Sequence, residues 1–283
     1  MKFAVPYPEL TTAALALCAI LAATVVYFAL TRHRAHRLLT DRTREMESAL
    51  EELAEQKIQF DAEVARRSKE TDAIKDATIL ALAGLAETRD TDTGAHIRRT
   101  QMYIKILAEA AGKIPTFAPA LTGETITLLF KTAPLHDIGK VGIPDSILFK
   151  PGPLTDEEFS IMKAHTTLGG RAISEAQKQL GISTDFLHLA HEIATTHHEK
   201  WDGTGYPAGL RGEEIPLAGR LMAIADVYDA LRSRRAYKMP LTHEEACAII
   251  RRDAGRQFDP ALTSIFDEVQ EDFRRISETY ADE

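Results

Sequence analysis

From Leu10 to Thr31 the chain reads LTTAALALCAILAATVVYFALT, without one charged side chain. At about 1.5 Å per residue, a helix over this run is just long enough to cross a hydrocarbon core of about 30 Å. Arg32, Arg34 and Arg37 follow at once in RHRAHR, and the positive-inside rule puts that flank in the cytoplasm. A cleaved signal peptide is the competing reading, with Lys2 as a minimal basic region and several alanines resembling a cleavage zone. The apolar run is longer than a typical signal-peptide core, which favours an anchor. The expectation is a short extracytoplasmic segment over 1–9, a single transmembrane helix over 10–31 and everything after it in the cytoplasm.

Leu39, Met46, Leu53 and Phe60 then recur every seven residues, with Leu50 and Val64 at the intermediate position of a heptad seam. Ile74, Ala81 and Leu85 resume the register after a weaker stretch containing Arg67 and Thr71. Residues 32–74 therefore read as a basic juxtamembrane segment and a coiled coil that pairs two copies into a homodimer. Thr43, Lys57 and Arg67 on the seam leave open a single amphipathic helix instead.

From residue 75 to 283 the periodicity is helical and no alternating strands stand out, so the fold class is all-α, a helical bundle. LTDEEF and LTHEEA each place Thr three residues before Glu, the pattern of a capping box. In FDPAL, Asp259 is an N-cap with Pro260 at the first helical position. KPGPL and DGTGYP read as loops. The net charge of -8 argues against a nucleic-acid polymer as ligand, so any phosphate must be held locally. Cys18 and Cys247 have no CxxC spacing, which suggests neither a disulfide framework nor a thiolate metal site.

Two doublets carry the chemistry: His136-Asp137 in PLHDIGK and His197-His198 in HHEKWDGTGYP. Neighbours on a helix diverge by roughly 100°, so His197 and His198 cannot easily grip one ion from the same face and suit two. His96, His165 and Asp226 add imidazoles and a carboxylate near expected helix ends. Imidazole with carboxylate and no thiolate suits iron, manganese or zinc. Two ions about 3.5–4 Å apart need a bridging carboxylate and histidines from several directions, and Asp137 is the natural bridge.

Taken in order, ETRDTDTGAHIRR, LHDIGKVGIPDSILFKPGPLTDEEF, MKAHTTLGG, HHEKWDGTGYPAGLRGEEIP, AIADVYDALRSRRAYK and GRQFDPAL resemble the HD-GYP subfamily of HD-superfamily metal-dependent phosphohydrolases. The resemblance covers about residues 75–275. It implies an all-helical domain that holds two or three iron or manganese ions and hydrolyses cyclic di-GMP to pGpG, with GMP as a further product. By position it implies that His96, His136, Asp137, His165, His197, His198 and Asp226 are metal ligands. It places Lys140 near the scissile phosphate, so that Asp137 and Lys140 form the catalytic pair, and Arg235 and Lys238 on ligand phosphates. A diguanylate cyclase or another signalling partner on the GYP loop also fits the resemblance. A receptor that binds cyclic di-GMP without cleaving it, and an enzyme for another cyclic dinucleotide, are the rival readings.

Four residues before His96, where iron-rich members of that family often carry Glu, this chain has Asp92. Positions 92 and 96 share a helix face, but Asp is one methylene shorter and Thr93-Gly94 is poor helix. The expectation is a dinuclear centre, with Asp92 a weak ligand, an orienter of His96, or an N-cap. Asp229 is expected to orient a ligand, and His188, His191 and His243 to be helix-face or surface residues. Glu199 and Lys200 read as a surface pair. Trp201 and Tyr206 either pack the loop or touch ligand, and Gly203 and Gly205 answer a need for positive φ or close approach.

Overall fold

The computed structural model describes residues 8–87, 94–233 and 239–281. It divides into two units, Met1–Asp72 and Ala73–Glu283. Helix α1 (Pro8–Glu87) makes up the described part of the first and contributes its last turns to the second. Its apolar portion has a mean hydropathy of 2.4 and is not buried, so by length and composition it can cross a membrane. Thr24 donates its hydroxyl to the carbonyls of Ile20 and Leu21, and Thr31 to those of Tyr27 and Phe28. Such back-bonding keeps both of these hydroxyls bonded within the helix. Further along, Arg42–Glu45, Lys57–Asp61 and Arg66–Glu63 pair one turn apart. Leu39, Met46, Leu53 and Phe60 stand exposed along the same part of the helix.

The second unit is helical, and among its described residues the only β pairings are two isolated bridges. Its core is built on α2 (Gly94–Ala111), α8 (Leu217–Arg232) and α10 (Pro260–Thr279). Tyr103, Ile104, Leu107, Ala108 and Ala111 line one face of α2 at helical spacing and are fully buried. The Tyr103 ring stacks on Phe273 at 4.5 Å, while Tyr228 meets both edge-on. These offset and edge-to-face contacts lock three helices around one aromatic cluster.

The expected helix starts are present. α5 (Asp156–Met162) and α9 (His243–Arg252) each open on a complete capping box, Thr155 with Glu158 and Thr242 with Glu245. Asp259 caps α10 by accepting from the Ala261 amide, with Pro260 next in line. Between α3 (Gly123–Thr132) and the short α4 (Asp145–Leu148), the chain tightens into 3₁₀ turns at Ala133–Leu135 and Ile138–Gly142. α6 (Ala164–Leu180) and α7 (Asp185–Thr196) complete the unit. Among the described candidate site residues, His136, Asp137, His165, His197 and His198 sit where these elements end or tighten, His96 lies in the first turn of α2, and Asp226 lies in the middle of α8.

Candidate metal centre

His136 and Asp137 lie between the two 3₁₀ turns, where the helical ladder is broken and neighbouring side chains aim inward together. His165 comes from the first turn of α6, His197 caps the C-terminus of α7, and His96 and Asp226 project from α2 and α8. These elements bring together two donor sets: His96, His136 and Asp226 in one, and Asp137, His165, His197 and His198 in the other. Adjacent residues join the sets, with His136 Nε2 3.2 Å from Asp137 Oδ2.

Four of the imidazoles are held in one tautomer by the same device. The Nδ1–H of His136 donates to Ala133 O, that of His165 to Met162 O and that of His197 to Ile193 O. His96 donates its Nδ1–H to Asp229 Oδ2 at 2.8 Å. Each Nε2 lone pair is thereby left facing the centre. Asp229 is fully buried and is held in turn by Arg99, whose Nε and Nη2 donate to it at 2.6 and 2.9 Å. Arg99 also donates to Ser233 Oγ and to the Tyr280 carbonyl, which ties the end of α10 to this network.

Asp137 faces both ways. Its Oδ2 receives Lys140 Nζ at 2.7 Å, while Oδ1 lies 3.3 Å from His165 Nε2 and 3.7 Å from His197 Nε2. Burial opposes the charged form, yet the Lys140 ammonium and the His136 ring hold its carboxyl well below the usual carboxylate range. Its Oδ1 is buried without a hydrogen-bond partner, a costly position for a carboxylate oxygen unless a cation joins it.

The two sets differ in charge. Burial disfavours an imidazolium at His96, but the Asp229 hydrogen bond and the charges of Asp229, Asp226 and Glu87 outweigh it and push the ring up to about 10. That carboxylate-rich set calls for positive charge, which a divalent ion supplies. In the other set burial lowers His165 to about 4 and His198 well below its ordinary value, the second also through the neighbouring His197. Neutral imidazoles are the form that binds metal. The donor atoms, their convergence and the stranded Asp137 oxygen all fit a pair of divalent ions.

The loop after the second doublet packs against this centre. Tyr206 lies over His198 with centroids 4.8 Å apart and meets Phe159 edge-on. Glu199 is not a surface acid: it is only 2 % exposed, and its carboxylate accepts from the amides of Ala208, Gly209 and Leu210. The reason is local, because the loop turns back on itself and its inward amides need one acceptor. Gly203 supplies a positive φ of 81°, and at Gly205 a Cβ would lie 2.3 Å from the Lys200 nitrogen. Replacing Glu199 by Ala strands three donors, so a stability loss of roughly 2–4 kcal/mol is expected, read from urea unfolding.

His243 is also buried rather than exposed, accepting from or donating to the Tyr228 hydroxyl at 2.9 Å, whereas His188 is exposed and pairs with Glu192. Asp92, Arg235 and Lys238 lie outside the described residues. Arg99 and Glu87 carried no sequence expectation. Only their places in the quoted ETRDTDTGAHIRR motif marked them, because a long-range partner leaves no periodic trace.

Residues 91–262 match the HD domain family. Over 213 residues the chain is 55% identical to a protein of Vibrio cholerae named cyclic di-GMP phosphodiesterase, an alignment spanning 75% of this chain and 43% of that protein. A Thermotoga maritima protein of the same name is 42% identical, over 70% of this chain and 50% of its own. A third relative, named 3'3'-cGAMP-specific phosphodiesterase 2 of Vibrio cholerae, is 40% identical over 71% of this chain and 36% of that protein. The chain belongs to the HD-domain family, in its HD-GYP branch. It spans about half or less of the length of these curated relatives.

Proposed function

We propose that this chain is a membrane-anchored, metal-dependent phosphodiesterase that opens cyclic di-GMP to pGpG, with GMP as a second product. The observation that carries the reading is the pair of donor sets joined at His136-Asp137, with Lys140 on the joining carboxylate. Iron or manganese ions held there supply Lewis acidity and lower the pKa of a water toward neutrality. His96, His136 and Asp226 would hold one ion, and His165, His197 and His198 the other, with Asp137 available to both. Asp92, four residues before His96 in sequence, is a weak further ligand or an orienter of His96.

The protein's own groups then bind and orient the phosphodiester. Lys140, held beside Asp137, brings its ammonium to a non-bridging phosphate oxygen, where charge builds as phosphorus is attacked. Arg235 supplies a guanidinium fork and Lys238 a point charge for the same or the second phosphate. Water adds across the P–O3′ bond: its oxygen ends on phosphorus and the 3′ oxygen takes up a proton. Tyr206 forms one wall beside His198.

Residues 10–31 anchor the chain in the inner membrane with residues 75–283 in the cytoplasm, and the exposed seam of α1 pairs two copies. The GYP loop is the surface on which a diguanylate cyclase or other signalling partner would dock. The relative named for 3'3'-cGAMP supports a second substrate reading, and a non-cleaving receptor is the remaining one. Metal analysis of protein purified without oxygen, followed by chromatography after incubation with several cyclic dinucleotides, separates the three. Conversion of cyclic di-GMP to pGpG is expected. Cleavage of 3'3'-cGAMP alone changes the substrate, and tight binding without cleavage makes the protein a receptor.

A further inference from the structure

We infer that Phe159 and Lys163, beside Tyr206, form the seat of a purine base, and that the Lys163 ammonium selects guanine over adenine. This wall leads outward from the metal centre in two steps. Tyr206 lies over His198 with ring centroids 4.8 Å apart, and the more exposed Phe159 stands 6.1 Å from Tyr206, edge-on at 83°. Lys163 Nζ sits over both outer rings, 5.3 Å from the Phe159 centroid and 5.9 Å from that of Tyr206. A base is joined to its phosphate through a single ribose, so a phosphodiester held at the two donor sets brings a purine to this wall.

The two residues supply different things. Phe159 is 47 % exposed, which leaves a ring face for stacking, and stacking on an aromatic ring accepts any base. Selection therefore falls to Lys163. This residue ends α5 and opens α6, so the turn that places it also places His165. Its side chain is half-buried, and among the described residues no carboxylate pairs with its ammonium. The ring faces attract the charge but leave its N–H groups without an acceptor. Guanine presents two acceptors on one edge, N7 and O6, whereas adenine presents N7 beside an amino donor. An ammonium has donors only, so it matches the guanine edge and opposes the adenine one. Lys140, Arg235 and Lys238 are assigned to phosphates in the function proposed above, which leaves the base to this wall.

This inference rests on the phosphodiesterase reading above, and the experiment keeps the two apart. The full-length protein in detergent, loaded with Mn²⁺, is compared with Lys163→Met, which keeps an aliphatic stem on the rings and removes the charge, and with Lys163→Arg, which keeps N–H donors. Metal content, thermal unfolding, and kcat and KM for cyclic di-GMP and 3'3'-cGAMP are recorded, with cyclic di-AMP as a competing inhibitor. Lys163→Met is expected to raise KM for cyclic di-GMP by about 10–100-fold, the loss falling on KM rather than kcat. Metal content should stay unchanged, and inhibition by cyclic di-AMP should stay unchanged or tighten. Lys163→Arg should recover most of the lost KM, and Phe159→Ala should weaken all three nucleotides alike. If Lys163→Met weakens cyclic di-AMP by the same factor as cyclic di-GMP, the charge acts on phosphate. If it loses metal or unfolds at a lower temperature, the residue serves the packing of the loop. Either result overturns the guanine assignment, as does an unchanged KM. If the unsubstituted chain cleaves neither guanine-containing nucleotide, the proposed function itself fails and the inference with it.

Discussion

Replacing His136 and Asp137 together by alanine is expected, on the proposed function, to lower cleavage of cyclic di-GMP by more than about 10³-fold and to strip metal from the centre. The reason lies in how the pair is shared. His136 Nε2 belongs to the set with His96 and Asp226, while Asp137 Oδ1 reaches His165 and His197. Removing both leaves the sets without a common carboxylate, so two like-charged ions would face each other across a low-dielectric gap. The variant also removes the anion that fixes Lys140 at 2.7 Å, and the ammonium no longer has a defined place beside the phosphate. Asp137→Asn separates charge from volume: it keeps the shape, loses the negative charge, and should lose metal nearly as far. Metal content and chromatographic product yield are the two readouts. A double variant that cleaves at the unsubstituted rate would remove this centre from the chemistry.

Much of the fold is legible in the sequence because its punctuation is local. Thr155 with Glu158, Thr242 with Glu245, and Asp259 with Pro260 satisfy backbone groups within four residues, and each begins the helix that its pattern announces. The candidate donor residues, which the structure gathers into two sets, are marked for a different reason: the His-Asp and His-His doublets stand out in the sequence, and the family resemblance supplies the full set by position. What the doublets do not disclose is how they are supported. Three of the histidines lean on backbone carbonyls, which every residue possesses. Arg99 and Asp229 lie 130 residues apart in the chain, so no spacing rule could pair them. Glu199 shows the limit most clearly. An acid beside a lysine looks like a solvated pair, and only the fold of residues 203–210 turns it into an acceptor for three inward amides.

Gly139→Ala should damage the centre nearly as much as loss of a ligand, although the residue carries no side chain. A Cβ built there would lie 1.9 Å from the His165 carbonyl oxygen and 2.5 Å from the Gly169 nitrogen. Both are backbone atoms, so no rotamer relieves the clash, and either α6 or the turn at Ile138–Gly142 must move. Each carries part of the site: α6 holds His165 and the turn follows directly on Asp137. The 3.3 Å separation of Asp137 Oδ1 from His165 Nε2 would open by about 1 Å, a misplacement that costs on the order of 10²-fold in rate. Overpacking adds a stability loss of about 1–3 kcal/mol. Gly142→Ala is the matched control, because it lies in the same turn and its Cβ meets only Leu168 side-chain atoms, the nearest at 2.9 Å. Neither glycine has a positive φ, so backbone strain does not separate the two variants, and each gains up to about 1 kcal/mol from a less flexible unfolded chain. The control should therefore keep its metal and most of its rate while Leu168 changes rotamer. Metal content, unfolding by urea and product yield are compared across the pair. If Gly139→Ala matches Gly142→Ala in all three, the close approach of the turn to α6 does not position His165.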